Sequence, residues 1–264
     1  MRIESTDLLL AEYVGDVVIL TLNRPDRLNA LTDELTRDLR AALAALAYDD
    51  SRVAVITGAG RGFCAGADSG GLENRIDQGT NGAAEGIRGR NFLVPALLEV
   101  EQPLIAMVNG PAAGAGATLG LFCDIVLIAD DAKIGDTHVR MGLVSGDGSA
   151  VMWPLLLGPK LASEYLLTGR LIDGREAERI GLVNHSYPAD SLREETLALA
   201  SEIAAQPPFA VKGNKAAVKR YVQWLVGHTL DASYAWEQLS MLTADHAEAV
   251  RAFRERRPGV YGGR

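Results

Sequence analysis

Cysteine is scarce in this chain. Only Cys64 and Cys123 occur among 264 residues, so a disulfide framework is not expected. Basic residues are outnumbered, 26 Lys and Arg against 34 Asp and Glu, for a net charge of -8. A nucleic-acid partner is therefore not expected, because such binding rests on basic patches that neutralise phosphates. No run of about 18 apolar residues occurs, so no transmembrane helix is expected. Met1 to Leu10 holds no basic segment followed by an apolar one. No signal peptide is read there, and the cytoplasm is the expected compartment. His185, His228 and His246 show no metal-ligand spacing with one another or with the cysteines, so no metal site is expected. What remains is an ordinary globular composition, 48% hydrophobic and 23% charged, long enough to bury a substantial core.

The order of apolar runs suggests an α/β domain. DLLLAEYVGDVVILTLNRPD reads as a hairpin turning at Gly15-Asp16. Thr32 can cap a helix through DELTRDLRAALAALA, with Asp33 and Glu34 in the first turn, where the helix dipole favours them. RVAVITG, PLIAMVNG and DIVLIAD read as short buried strands separated by helical or glycine-rich segments. The stretch from Gly70 to Gly86 reads as a mobile loop, with helix returning at about Ile87 to Val100. After about Gly158 helical patterns dominate: KLASEYLLTG, GREAERIG, SLREETLALASEIAAQ, FAVKGNKAAVKRYVQWL, and a last one from about Thr229 to Arg256.

Two turns, FCAGADSGG and NGPAAGAGATLG, each follow an apolar strand and present backbone N–H groups with little side chain to block approach. Side by side they could aim two donors at one point, which is how an oxyanion on a carbonyl is stabilised. A helix starting in the second turn would add its dipole. The same small residues also serve tight helix–strand packing. Neither turn is a phosphate loop, because no GK[ST] follows, and GAGATLG lacks the acidic partner of a dinucleotide fingerprint.

RPDRLNAL, GFCAGAD, NGPAAGAG with CDI behind it, LLTGRLIDGREAERIGLVN, KGNKAAVKR and AFRERRPGVYGG stand in order along nearly the whole chain. This succession resembles the crotonase (enoyl-CoA hydratase/isomerase) superfamily. The resemblance implies a spiral core of ββα units over residues 1–200 and a helical trimerisation region over 201–264. It implies acyl-CoA thioester substrates, with coenzyme A arriving as part of the substrate rather than as a prosthetic group, and a homotrimer or dimer of trimers. The backbone N–H groups of Ala67 and Ala115 would form the oxyanion hole. Arg27, Ala65, Ala67 and Asp68 lie where the family meets coenzyme A. The lysine that the family often places near its end is replaced by PGVYGGR.

A hydratase of this family works with two glutamates. Here Thr118 and His138 occupy those positions. Thr118 cannot act as a base at neutral pH and reads as a small helix residue. In THVRMGLVSGDGSAVMWP, His138 and Asp147 become the candidate catalytic pair, a histidine for proton transfer and an aspartate to orient and charge it. The H…GLVSGDG…WP pattern is similar to that of crotonase-fold β-diketone hydrolases, where a His–Asp pair serves a water. The leading expectation is an enoyl-CoA hydratase/isomerase family enzyme that stabilises a thioester enolate or oxyanion. The alternatives are retro-Claisen cleavage of a β-diketone or 3-oxoacyl-CoA, and a non-catalytic acyl-CoA-binding homologue. Glu237 is a minor candidate for a proton donor, read as exposed. Cys64, Trp153 and Trp224 read as packing.

Overall fold

The computed structural model describes residues 2–68, Thr80 and 93–263. The glycine-rich stretch from Gly70 to Gly86, Thr80 apart, and the helical start at Ile87 lie outside these residues. Strands β1 (Leu9–Val14) and β2 (Val17–Leu22) form the expected antiparallel hairpin around Gly15. Helix α1 (Asp33–Ala45) starts at Thr32, whose side chain accepts the Leu35 N–H at 3.3 Å. Then come β3 (Val53–Gly58), α2 (Leu93–Glu99), β4 (Leu104–Val108), β5 (Ala112–Ala113) and α3 (Ala115–Leu121). Strands β6 (Ile125–Ala129) and β7 (Ile134–Gly135) follow. The main sheet runs β1-β2-β3-β4-β6-β8, parallel from β2 onward, with β8 (His185–Tyr187) at its far edge. Its central strands are buried on both faces, as continuous apolar runs such as VAVITG require.

Past β7 the chain is mostly helical: α4 (Ser149–Thr168), α5 (Gly174–Arg179), α6 (Leu192–Ala204), α7 (Pro208–Ser240) and α8 (Ala244–Glu255). Helix α6 packs across β2, β3, β4 and β6. α4 is interrupted at Gly158, which stands before Pro159 with φ 74°. The expected break near residue 228 is absent, and α7 runs unbroken for 33 residues. The break falls instead at Thr243, whose hydroxyl caps α8 by accepting the His246 N–H at 3.2 Å. Among the described residues no helix is long and apolar enough to cross a membrane.

Short pairings set the site. β5 and β7 form a separate two-stranded sheet that alternation in the sequence did not reveal, because two residues carry no period. β7 leads directly into Asp136 and a short 3-10 turn over His138–Met141. The second glycine-rich turn and the His138 loop are thereby fixed to one another.

Candidate active site

The first turn leaves β3 and is held by two asparagines. Asn29 Nδ2 donates to the Ala59 and Gly62 carbonyls, and Asn109 Nδ2 donates to those of Gly58 and Gly60. Phe63 and Cys64 are fully buried. Burial pushes the Cys64 thiol up to about 12, so it is an inert core group rather than a nucleophile. Ala113 N–H donates to the Cys64 carbonyl at 3.1 Å, joining the two turns. Gly66 has φ 92°, and a methyl group on it would lie 2.6 Å from the Ala113 carbonyl oxygen and 3.5 Å from the Ala115 nitrogen. Only glycine lets the chain pass there and swing Ala67 to the open side.

Ala67 is exposed, and Ala115 is the first residue of α3 behind Gly114, whose φ is 52°. Among the described residues neither Ala67 N–H nor Ala115 N–H has an acceptor. Ala115 N–H is one of the orphan donors that a helix start always presents. The two turns thus lie in contact, each with a free donor.

His138 lies beside them. A methyl group on Gly114 would stand 3.7 Å from His138 Cε1. The ring is nearly buried and clamped between two carboxylates. Nδ1 is 2.9 Å from Asp136 Oδ2, and Nε2 is 3.6 Å from Asp147 Oδ2. Asp136 Oδ1 also accepts the His138 backbone N–H and the Ser145 hydroxyl, each at 3.0 Å. Asp147 Oδ1 accepts the Thr118 hydroxyl at 3.0 Å, and Thr118 Oγ1 lies 2.9 Å from Ser149 Oγ. Asp147 Oδ2 is buried without a hydrogen bond. Thr118 is therefore more than a small helix residue: it holds Asp147.

The charges follow from this clamp. Burial opposes charge on His138, but Asp147 and Asp136 outweigh it and raise the imidazole to about 10. Burial also works against the Asp136 carboxylate, yet His138 holds it below its ordinary range. Burial raises Asp147, with His138 opposing and Asp136 adding to the rise. The clamp therefore favours an ionised Asp136 beside an imidazolium, and burial makes Asp147 the better proton acceptor of the two carboxylates. The ligand atoms of this trio lie within 4.8 Å of one another. Nδ1 is hydrogen-bonded to Asp136, while Nε2 faces Asp147 Oδ2 as an ion pair without a hydrogen bond.

The sequence reading brought His138 and Asp147 together and missed Asp136. The available signal was DTH, an aspartate two residues before the histidine. Glu237 was read as exposed and is 7% exposed, packed on Gly146. Trp153 is core, as read, whereas Trp224 is 59% exposed, with its ring centroid 4.7 Å from that of His228. Of the expected coenzyme A contacts, Arg27 is exposed in the 3-10 turn Pro25–Arg27 and Ala65 is half-buried. Asp68 accepts from Arg24 at 3.3 Å, which ties the first turn to RPDRLNAL. A separate cleft of about 410 Å³, lined by Arg61, Asn109, Asp130 and Arg175 among others, contains none of these site residues.

Comparison with known proteins gives a consistent result. The family model described as enoyl-CoA hydratase/isomerase matches residues 12–264. A putative enoyl-CoA hydratase of Thermus thermophilus is 36% identical, covering 92% of this chain and 96% of the relative. The 2,3-dehydroadipyl-CoA hydratase of Escherichia coli is 35% identical over 94% and 96%. The crystal structure of an enoyl-CoA hydratase/isomerase from Mycobacterium paratuberculosis superposes with a TM-score of 0.86 at 37% identity, covering 94% of this chain and 99% of that one.

Proposed function

The chain belongs to the enoyl-CoA hydratase/isomerase family, and from that premise we propose that it acts on an acyl-CoA thioester through an enolate held by Ala67 N–H and Ala115 N–H. His138 and Asp147 do the proton transfer that two glutamates do elsewhere in the family. The observation that carries this reading is the position of His138: clamped by two carboxylates and beside Gly114, the residue before the Ala115 donor. In a hydration, Asp147 takes a proton from water as the oxygen adds to the β-carbon. The electron pair moves onto the thioester oxygen, where the two N–H donors stabilise it. The imidazolium of His138 then returns a proton to the α-carbon, and Asp147 re-protonates His138. An isomerisation would use the same enolate without the water. Arg27, Ala65, Ala67 and Asp68 are proposed to border the coenzyme A moiety, and the helices from residue 201 onward to carry a trimer or dimer of trimers.

A second reading, hydrolytic cleavage of a carbon–carbon bond in a 3-oxoacyl-CoA or β-diketone, is favoured by one feature. Asp147 Oδ2 faces His138 Nε2 at 3.6 Å and has no hydrogen bond among the described residues, which leaves this carboxylate oxygen uncommitted in a His–Asp pair of the kind that serves a water. The test follows a short-chain trans-2-enoyl-CoA, reading loss of the conjugated enone and release of CoA thiol in one sample, beside His138→Ala. Enone loss without thiol, abolished in the variant, supports proton transfer at a thioester enolate. No enone loss with coenzyme A still bound rejects the hydratase reading for this substrate. Undiminished turnover in the variant removes His138 from the mechanism.

A further inference from the structure

We infer that Asp136 is a positioning residue that fixes which nitrogen of His138 gives up and regains a proton: Nδ1–H stays bound to the Asp136 carboxylate, and Nε2 is the working nitrogen. This rests on the assignment of His138 above. The donors around Asp136 support it. Oδ2 lies 2.9 Å from Nδ1, and Oδ1 accepts the His138 backbone N–H and the Ser145 hydroxyl, each at 3.0 Å. Asp136 is 1% exposed, so these contacts are sheltered from bulk water. Donors converging on a carboxylate hold it ionised, and an ionised carboxylate only accepts hydrogen bonds. Nδ1 must therefore point a hydrogen toward it.

The backbone holds this carboxylate in place. Asp136 follows β7 directly, β7 pairs with β5, and Gly114 N–H donates to the Gly135 carbonyl at 3.0 Å. The strand end that carries Asp136 is thus tied to the turn that carries the Ala115 donor. With Nδ1 turned toward Asp136, Nε2 on the far side of the ring faces Asp147 Oδ2 at 3.6 Å without a hydrogen bond. Glu237 on α7 is a further charged group that acts on the ring. α3 brings the uncharged Thr118, and α8 brings His246, which binds the Met141 carbonyl. Among the described residues, Asp136 is the group hydrogen-bonded to the ring. Asp136→Asn then has a definite consequence. The amide oxygen takes the place of Oδ1, where two donors meet it. The amide NH₂ is left against Nδ1, which must become an acceptor, and the hydrogen moves to Nε2.

The test is NMR of ¹⁵N-labelled histidine rings in the substrate-free protein from pH 6 to pH 11, reading which ring nitrogen of His138 keeps its hydrogen once the ring is neutral. Asp136→Asn is set beside Asp147→Asn, with His138 assigned from His138→Ala. The two variants should give opposite tautomers: Nδ1–H in Asp147→Asn, which keeps the Asp136 carboxylate, and Nε2–H in Asp136→Asn. The same tautomer in both overturns the inference. So does a ring that stays fully charged at pH 11 in Asp136→Asn, because the carboxylate would then not be what holds the proton on Nδ1. Should Asp136→Asn fail to fold, wild type decides. Its Nδ1–H should be the ring hydrogen that exchanges more slowly with water, and a slower Nε2–H counts against the inference. No substrate is present, so loss of the enoyl-CoA reading would leave this result standing, and the wrong tautomer would leave that reading standing.

Discussion

His138 carries two expectations at the scale of single residues. Its folded pKa is raised, so its interactions stabilise the protein fully below its ordinary value of about 6.5. That stability is lost as pH rises toward about 10, where the folded imidazole gives up its proton. Denaturant unfolding measured from pH 6 to pH 10 should show stability falling with pH, with a flatter profile in His138→Gln. Turnover should fall by about 100- to 10,000-fold in His138→Ala and Asp147→Asn, the range typical for loss of a general acid or base. Thr118→Val tests the support of Asp147. It removes the 3.0 Å hydrogen bond to Oδ1 and leaves that buried acceptor only the longer Ser149 N–H contact at 3.4 Å, and should cost about 1–3 kcal/mol of unfolding free energy in denaturant. It should also lower kcat more than it raises KM. Asp136 shows why single-residue reading stopped short. Nothing in DTH separates a surface aspartate from a buried one until β7 pairs with β5 and turns the pair inward.

At the scale of elements, the proposed oxyanion hole depends on how closely two turns approach. Gly66→Ala would set a methyl group 2.6 Å from the Ala113 carbonyl at a positive φ. The backbone strain alone is worth about 1–3 kcal/mol, so the variant should melt earlier and lose most turnover even where it folds. Melting followed by circular dichroism, with turnover measured below the transition, checks both. The hairpin, α1 and the buried strands were legible in the sequence, because apolar period and capping residues mark them directly. Thr32 and the VAVITG run are examples. The two glycine-rich turns were legible as a pair. The end of α7 was not, because Gly227 and the residues after it keep helical geometry while Thr243 caps the next helix. That error hid Glu237, which reads as a solvent-facing residue unless the helix is followed inward to Gly146.

At the scale of the molecule, the described surface of α7 and its neighbours exposes Phe209, Val218, Tyr221, Trp224, Trp236 and Leu239. Large apolar side chains left exposed along one helix are what a partner surface would cover. A second copy of this chain is the proposed cover. Sedimentation should give a mass of three or six chains, and Tyr221→Asp combined with Trp224→Asp should shift it toward smaller species. The central claim is that two backbone donors hold a thioester enolate while His138 and Asp147 move its proton. The measurement closest to that claim is exchange of the α-protons of a saturated short-chain acyl-CoA in D₂O, followed by mass spectrometry, with wild type beside His138→Ala and Asp147→Asn. The account predicts deuterium entering the acyl chain with wild type and a fall of about 100-fold or more in both variants. Exchange that is undiminished in the variants, or absent in a wild-type protein that binds the thioester, would contradict it.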